Sequence, residues 1–321
     1  MFIRDTLFIE CYFVDLKRWK ETMTTLTIFT PAYNRAHTLP RTYQSLCRQT
    51  CKDFEWLIID DGSSDNTKEL VEGWIKDNII PIRYIYQENQ GMHGAHNTAY
   101  RNIYTELNTC IDSDDYMPET AVRDIISFWK ENGSNVFAGL VGLDCTEDRM
   151  VIGGFFPEDL KETKLSDYYL YGGSGDKKLV YRTEVIKNYP EYPRFEGERY
   201  FSLGYKYLLI DQDYKLLTLN KTLVVVEYQA DGSSSSMWKQ YWNNPNGFRF
   251  LRKEHMRLYH SWKVIIRSCI HYVSHTIRAG KYQELCSTPY PFLTICCIPL
   301  GFALYLVTKY KVTHNKQMRI K

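Results

Sequence analysis

Strands alternating with helices through the first half of the chain predict an α/β fold, with a mixed, mainly parallel sheet flanked by helices. Three observations carry that reading. Short apolar runs rich in β-branched and aromatic residues recur at 25–30, 54–60, 82–88 and 105–112, each about as long as a buried strand. Helical spacing fills the gaps between them. Each run also ends in polar, turn-forming residues: Pro31–Asn34, Asp60–Asp61, Glu88–Gly91 and Asp112–Asp115. Ligands of open α/β sheets sit at the carboxyl ends of the strands, so these four ends are expected to converge on one crevice.

TLTIFT (25–30) opens the sheet and PAYNR breaks it. Leu39, Tyr43 and Leu46 then fall on one helical stripe. FEWLIID (54–60) is a second strand closed by DDGSSDNT, and KELVEGWIKD follows as a helix. IRYIYQE (82–88) is the third strand, and NQGMHGAHNTAYRNI reads as a glycine-marked turn leading into a helix. TELNTCID (105–112) is the fourth and delivers Asp112 at its tip. Beyond it the pattern loosens. VFAGLVGLD (136–144) reads as a strand. GGSGDKKLVYRTEVIKNYP (172–190) is a Gly-rich turn with a strand or helix start. RFEGERYFSLGY (194–205) puts two acids before an aromatic-rich helix, and LLTLNKTLVVVEYQ (216–229) contains a strong strand. DGSSSS interrupts the chain, and 238–282 is helical and basic, with Arg252, Arg257, Lys263 and Arg267 interleaved with Trp262, Ile265 and Ile266.

The 321 residues suffice for one large domain with an appendix or for two domains, and 44% hydrophobic residues sustain a sizeable core. A formal charge of +2 argues against a general nucleic-acid partner. Nine cysteines show no C-x-x-C spacing, and Cys296 and Cys297 sit side by side in an apolar run. That pattern suits neither a zinc site nor a disulfide framework, so reduced, cytosolic thiols are expected. Residues 1–22 carry charges through their apolar part, so no signal-peptide core is expected there.

CIDSDDYMPE (110–119) crowds Asp112, Asp114 and Asp115 into four positions. A solvated turn is the plain explanation, because Asp and Ser side chains bond the local backbone. A divalent cation is the sharper one. Two hard oxygen ligands at D-x-D spacing can share one Mg²⁺ or Mn²⁺, and a diphosphate can fill the remaining positions. A second acidic pair, Asp60–Asp61, at a neighbouring strand end favours the cation.

Taken in order, TPAYNR, SLCRQTCKDFEWLIIDDGSSDNT, ENQGMHGAHNTA and IDSDDYMPE resemble family 2 glycosyltransferases of the GT-A fold over residues 25–125. Each motif alone is weak, but four in the correct order and spacing are specific. The resemblance implies transfer of a sugar from a nucleotide-sugar donor, a UDP-sugar first, to a saccharide or lipid-linked saccharide, with inversion, in surface polysaccharide synthesis. It implies Asp61 on the nucleobase and Pro31, Ala32 and Tyr33 along base and ribose. Asp112 and Ser113 would meet the nucleotide, and Asp112 with Asp114 would hold Mn²⁺ or Mg²⁺. Asp115 is an alternative ligand or a helix-start residue. Arg83 is placed near the nucleotide, with an exposed strand arginine as the competing reading. His93 or His96 could touch the diphosphate, against simple exposure on a turn. The general base is expected downstream, where FEGER supplies Glu198, with Glu196 in reserve and Asp211 or Asp213 also open. The competing role for Glu198 is a helix cap. A carboxylate base opposite the leaving group inverts the anomeric centre. A sugar nucleotidyltransferase and an inactive carbohydrate-binding module are the alternatives. No Gly-rich phosphate loop follows the first strand, which disfavours the former. Intact Asp61, Asp112 and Asp114 disfavour the latter.

The expected organisation is an extension over 1–23, with translation starting at Met1 or Met23, a GT-A catalytic domain over 24–230, a basic helical region over 231–285, and an apolar segment with a basic tail over 286–321. The run 290–308 lacks charge and is long enough to span a bilayer. Pro299 and Gly301 interrupt it, and Arg278, Lys281, Lys309 and Lys311 flank both sides. Positive charge on both flanks suits a re-entrant or surface-lying segment at the cytoplasmic face of the cell membrane. A buried C-terminal helix or an oligomer interface is the competing reading.

Overall fold

The computed structural model describes residues 24–227 and 237–314. The extension 1–23, the DGSSSS break that marks the expected 230/231 boundary, and the tail from 315 lie outside the described residues.

The four expected strands are β1 (Leu26–Ala32), β2 (Phe54–Asp60), β3 (Ile82–Tyr86) and β4 (Leu107–Cys110). Helices α1 (Leu39–Cys47), α2 (Thr67–Asp77) and α3 (Met92–Asn102) connect them, and α4 (Ala121–Asn132) follows β4. The second half adds β5 (Phe137–Cys145), β6 (Glu162–Thr163), α5 (Leu165–Leu170), β7 (Lys177–Arg182), α6 (Thr183–Asn188), α7 (Gly204–Asp213) and β8 (Lys215–Val225). The strands form one sheet of order β3-β2-β1-β4-β7-β5-β8-β6. β1 runs parallel to β2 and β4, and β2 to β3. β7 is antiparallel to both β4 and β5, which makes the sheet mixed.

Every residue of β2 is buried because the sheet is covered on both faces, which is why FEWLIID shows no polar alternation. On one face Trp56 and Ile58 pack with Leu39, Val71 and Ile125 from α1, α2 and α4. On the other, Leu57 and Ile59 pack with Ala95 and Ala99 of α3 and with Ile210 of α7. Tyr43 stacks on Trp74 at 4.3 Å, clamping α1 to α2. Each fully buried aliphatic side chain contributes about 1.5–3 kcal/mol to holding these layers together.

Five helices follow: α8 (Met237–Asn243), α9 (Pro245–Leu258), α10 (Trp262–Arg278), α11 (Pro291–Cys296) and α12 (Ile298–His314). Met256, Ile265, Cys269, Tyr272 and Cys297 form their small core. The apolar run 290–308 is not one span. A break at Cys297 divides it between α11 and α12, and no described helix is long and apolar enough to cross a membrane. Gly301 lets α12 close onto α10, since a Cβ there would stand 2.5 Å from the Cβ of Val273.

Candidate active site

Parallel pairing places the carboxyl ends of β2, β1 and β4 side by side, with β1 in the middle. The turns after β2 and β4 are therefore separated by two strand spacings, roughly 10 Å. That is the span of a ribose with a diphosphate.

Asp61 lies one residue past β2 and is only 4% exposed. Its Oδ1 accepts Gln87 Nε2 at 2.6 Å and the Gln90 amide at 2.8 Å, and its Oδ2 accepts the Gly91 amide at 2.8 Å. Burial raises its pKa above the ordinary carboxylate value, against those three hydrogen bonds. A carboxylate offers about four lone-pair positions, so one remains, and a ring N–H can donate to it. Gln87 Oε1 is buried beside it with no partner among the described residues. The local backbone requires glycine: Gly91 has φ +78°, and a Cβ there would stand 2.2 Å from the Arg199 carbonyl oxygen. Asp60 has a structural duty, accepting the Ser63 amide at 2.8 Å and the Tyr84 hydroxyl.

The turn after β1 is tied to the turn after β2. Asn34, at φ 54°, accepts the Ser64 amide at 2.7 Å through Oδ1, and its own amide donates to Ser63 Oγ at 2.8 Å. Pro31 is half-buried, Ala32 is buried, and Tyr33 is 48% exposed. Tyr33 is thus not a core aromatic, and its ring is free to stack on a planar group.

Across β1, the turn after β4 is held from α1. Thr42 Oγ1 donates to the Asp115 carbonyl at 2.7 Å, and Arg41 Nη2 donates to the Asp114 carbonyl at 2.8 Å. Arg41 also pairs with Glu147 and Glu227. Ser113 and Asp115 are buried, Asp114 is half-buried and Asp112 is exposed. Asp115 accepts the Glu227 amide at 3.2 Å. Burial, then the charge of Asp112, raises Asp114 and lifts Asp115 to about 7.

A hard divalent cation fits this set. Asp112 and Asp114 have few existing partners: among the described residues, no side chain donates a hydrogen bond to the Asp114 carboxylate, and Asp112, which faces solvent, accepts the Cys110 thiol at 3.9 Å. A cation would relieve the repulsion that raises Asp114. No group of three or more His, Cys, Asp or Glu among the described residues could hold a metal unaided. The remaining ligands would come from a diphosphate or water.

Two residues of this region carry no motif signal. Lys178 on β7 donates to the Cys110 carbonyl at 2.9 Å. Burial lowers its pKa, but Asp144, Asp112 and Asp115 outweigh burial and keep it raised. Asp144 on β5 is buried, its Oδ1 has no partner among the described residues, and burial lifts it to about 6. The pair KK after GGSGD was the available hint. Its distance of some seventy residues from the D-x-D hid the contact.

Three expectations are corrected. Arg83 is not near the nucleotide site. It lies opposite Leu57, toward the amino end of the sheet, and binds both oxygens of Glu55 and the Asn102 carbonyl. His93 and His96 are not on an exposed turn. Both are buried in α3, pushed down to about 4 and about 3 by burial, and His96 packs edge-on to Phe29. Glu198 is half-buried and caps α9. Its Oε1 accepts the Asn246 amide and Nδ2 at 2.7 and 2.9 Å, and its Oε2 accepts the Gly247 amide at 2.8 Å. Asp211 and Asp213 are also engaged, the first by the Leu165 and Ser166 amides that open α5, the second by the Tyr189 hydroxyl. Glu196 is exposed and makes no side-chain hydrogen bond among the described residues. Its loop packs on the Asp61 turn, where Arg194 Nη1 donates to Gln90 Oε1 at 2.6 Å.

Fold and crevice together define a mixed α/β sheet whose parallel strand ends carry two carboxylate-bearing turns. Residues 27–174 match the model of glycosyl transferase family 2. A GalNAc(5)-diNAcBac-PP-undecaprenol beta-1,3-glucosyltransferase of Campylobacter jejuni is 28% identical over 181 residues, covering 56% of this chain and 57% of that protein. The structure of Staphylococcus aureus TarS 1-349 in complex with UDP-GlcNAc superposes with a TM-score of 0.54 at 20% identity, covering 81% and 74% of the two chains. A mannosyltransferase of Pyrobaculum calidifontis in complex with GDP-Man and Mn²⁺ gives 0.53 at 14% identity, covering 94% and 89%. At these identities the two structures establish the fold. The chain spans less than two thirds of the length of the curated relatives it matches, from 18% to 63%.

Proposed function

We propose that this chain transfers a sugar from a UDP-sugar to a saccharide or lipid-linked saccharide, with inversion, in surface polysaccharide synthesis at the cytoplasmic face of the membrane. The observation that carries the reading is Asp61: a buried carboxylate with a spare lone pair, next to the turn that carries the exposed Tyr33, and about the span of a ribose with a diphosphate from the Asp112–Asp114 turn. The UDP-GlcNAc and PP-undecaprenol in the relatives' names support the donor and acceptor classes. The GDP-Man neighbour leaves the base to be decided by experiment.

Asp61 accepts from the nucleobase, Tyr33 stacks on it, and Pro31 and Ala32 border the ribose. Asp112 and Asp114 would hold Mn²⁺ or Mg²⁺, which when bound neutralises the charge of the leaving diphosphate, commonly the main source of rate enhancement in such a transfer. Ser113 presents its backbone between them. Glu196 takes the proton of the acceptor hydroxyl, because the capping of α9 occupies Glu198. Attack from the Glu196 side, opposite the diphosphate, inverts the anomeric carbon.

Membrane attachment is supported by α11 and α12, which expose Phe292, Ile295, Leu300, Phe302, Leu306 and Val307. An apolar face with flanking lysines can lie in a membrane interface without spanning it.

The test is UDP release from UDP-sugars with and without Mn²⁺, using the wild type and Glu196→Gln. Loss of roughly 10²–10⁴-fold in turnover with donor binding kept is the expected signature of a missing base. Diphosphate release from UTP and a sugar phosphate, in place of UDP release, would instead identify a nucleotidyltransferase.

A further inference from the structure

α9 and α10 enclose a basic cluster that the proposed chemistry does not use. Arg252 and His255 come from α9, and Arg267, His271 and His275 from α10. Arg252 Nη1 lies 3.4 Å from His255 Nδ1. The His271 and His275 rings are 6.0 Å apart, and Tyr241 of α8 stands 5.9 and 5.3 Å from them. His275 is 3% exposed. Three polar atoms here are buried without a partner among the described residues: Arg252 Nε, His271 Nδ1 and His275 Nε2.

Among the described residues, no carboxylate pairs with the cluster. Glu254, the acid within α9, faces Arg257 at 3.6 Å. Burial, then Arg252, holds His255 and His271 down to about 3 and His275 well below its ordinary value. A buried guanidinium N–H without an acceptor is costly. Buried polar groups in native proteins are overwhelmingly satisfied, so one guanidinium N–H and two neutral imidazole nitrogens left without partners point to a missing hydrogen-bonding ligand, and the arginine charge favours an anion.

The placement is informative. Glu198 pins the first turn of α9 to the loop that packs on the Asp61 turn. Arg252 follows Pro245 by seven residues, roughly 10 Å along the helix axis. Arg267 is exposed, so the cluster opens to solvent there.

We propose that Arg252, Arg267, His271 and His275 form a second anion site that takes a phosphoryl group, the shared chemistry of a lipid-diphosphate acceptor and a phospholipid headgroup. Guanidinium forks match phosphate oxygens, and the neutral imidazoles supply further hydrogen bonds. The acceptor arm rests on the transferase reading; the anion site itself does not.

The experiment follows the ¹⁵N side-chain signals of arginine Nε and histidine in the full chain. Inorganic diphosphate is titrated first, then a short-chain prenyl diphosphate, then phosphatidylglycerol vesicles against phosphatidylcholine vesicles. Diphosphate is expected to move the Arg252, His271 and His275 signals in the wild type and not in Arg252→Gln. Arg267→Gln, at an exposed position, should fold normally and weaken the response several-fold. A prenyl diphosphate response names the acceptor as the source, and a response to phosphatidylglycerol alone names the headgroup. If no probe moves these signals, or the response survives in both variants, the site is wrong. The Arg267→Gln variant should keep its acceptor-free UDP release. A phosphoryl response in a protein that never releases UDP would uphold the anion site and overturn the transferase reading.

Discussion

Glu198→Ala separates a helix cap from a catalytic base. The wild-type carboxylate accepts three hydrogen bonds, two from the Asn246 and Gly247 amides and one from Asn246 Nδ2. Losing a capping residue costs about 0.5–2 kcal/mol, and losing the negative charge at a helix N-terminus adds about 0.3–1 kcal/mol. Water replaces part of both, since Glu198 is only half-buried. The expected loss is therefore about 2 kcal/mol. For a chain of this size a loss of about 1 kcal/mol lowers Tm by roughly 2–4 °C, so Tm should fall by about 4–8 °C. Glu198→Gln keeps one acceptor oxygen and should lose about half as much. The assay pairs thermal melting with UDP release per folded molecule at a temperature well below both transitions. Turnover per folded molecule should be nearly unchanged. A variant that melts like wild type yet loses turnover by two or more orders of magnitude would refute the cap and restore Glu198 as the base.

Asp61→Asn should weaken UDP binding at least tenfold in calorimetry while the melting temperature holds or rises, because burial already penalises the charge of Asp61. Gly91→Ala forces a Cβ onto the Arg199 carbonyl at φ +78°, and should cost about 1–3 kcal/mol in urea unfolding and displace the loop carrying Glu196. His96, His255 and His271 are depressed to about 3 by burial, below the unfolded value near 6.5. The unfolded state therefore binds more protons between these values, so stability should fall as pH drops below about 6.5, by up to about 1.4 kcal/mol per pH unit for each histidine that stays neutral; urea midpoints flat from pH 7 to 4.5 would contradict this. Full-length protein should sediment with phosphatidylglycerol vesicles and be partly released by salt. A chain ending near Gln283 should not sediment, but it should melt lower, because Thr294 and Cys297 are buried against Cys269 of α10.

The sheet through β4 and the four turns of the crevice were legible in one dimension. Local signals sufficed: runs of strand-forming residues, glycines that alone tolerate Gly91's backbone, and carboxylates at strand ends. Parallel order then follows from the helical crossovers, so Asp61 and Asp112 could be placed together from spacing alone. Beyond Asp115 the strands at 136–144 and 216–229 and the helical stretch 238–282 were also legible, but the partners of the side chains there needed the packed molecule. Glu198 and Glu196 look alike in FEGER, and only the packing of α9 shows which carboxylate caps a helix and which faces solvent. Arg83 reads like any strand residue until its register opposite Leu57 puts it at the wrong end of the sheet. Lys178 reaches the turn after β4 through antiparallel β7, and Asp144 comes beside it from β5, which pairs with β7; neither pairing has a local signature. The apolar run 290–308 had the composition of a span, but the fold divides it into two helices and docks one on α10 through Gly301. Backbone preference and hydrophobic period are local properties, carried by neighbours in the chain. Which buried polar group meets which partner depends on contacts between residues far apart in the chain, and only packing decides them.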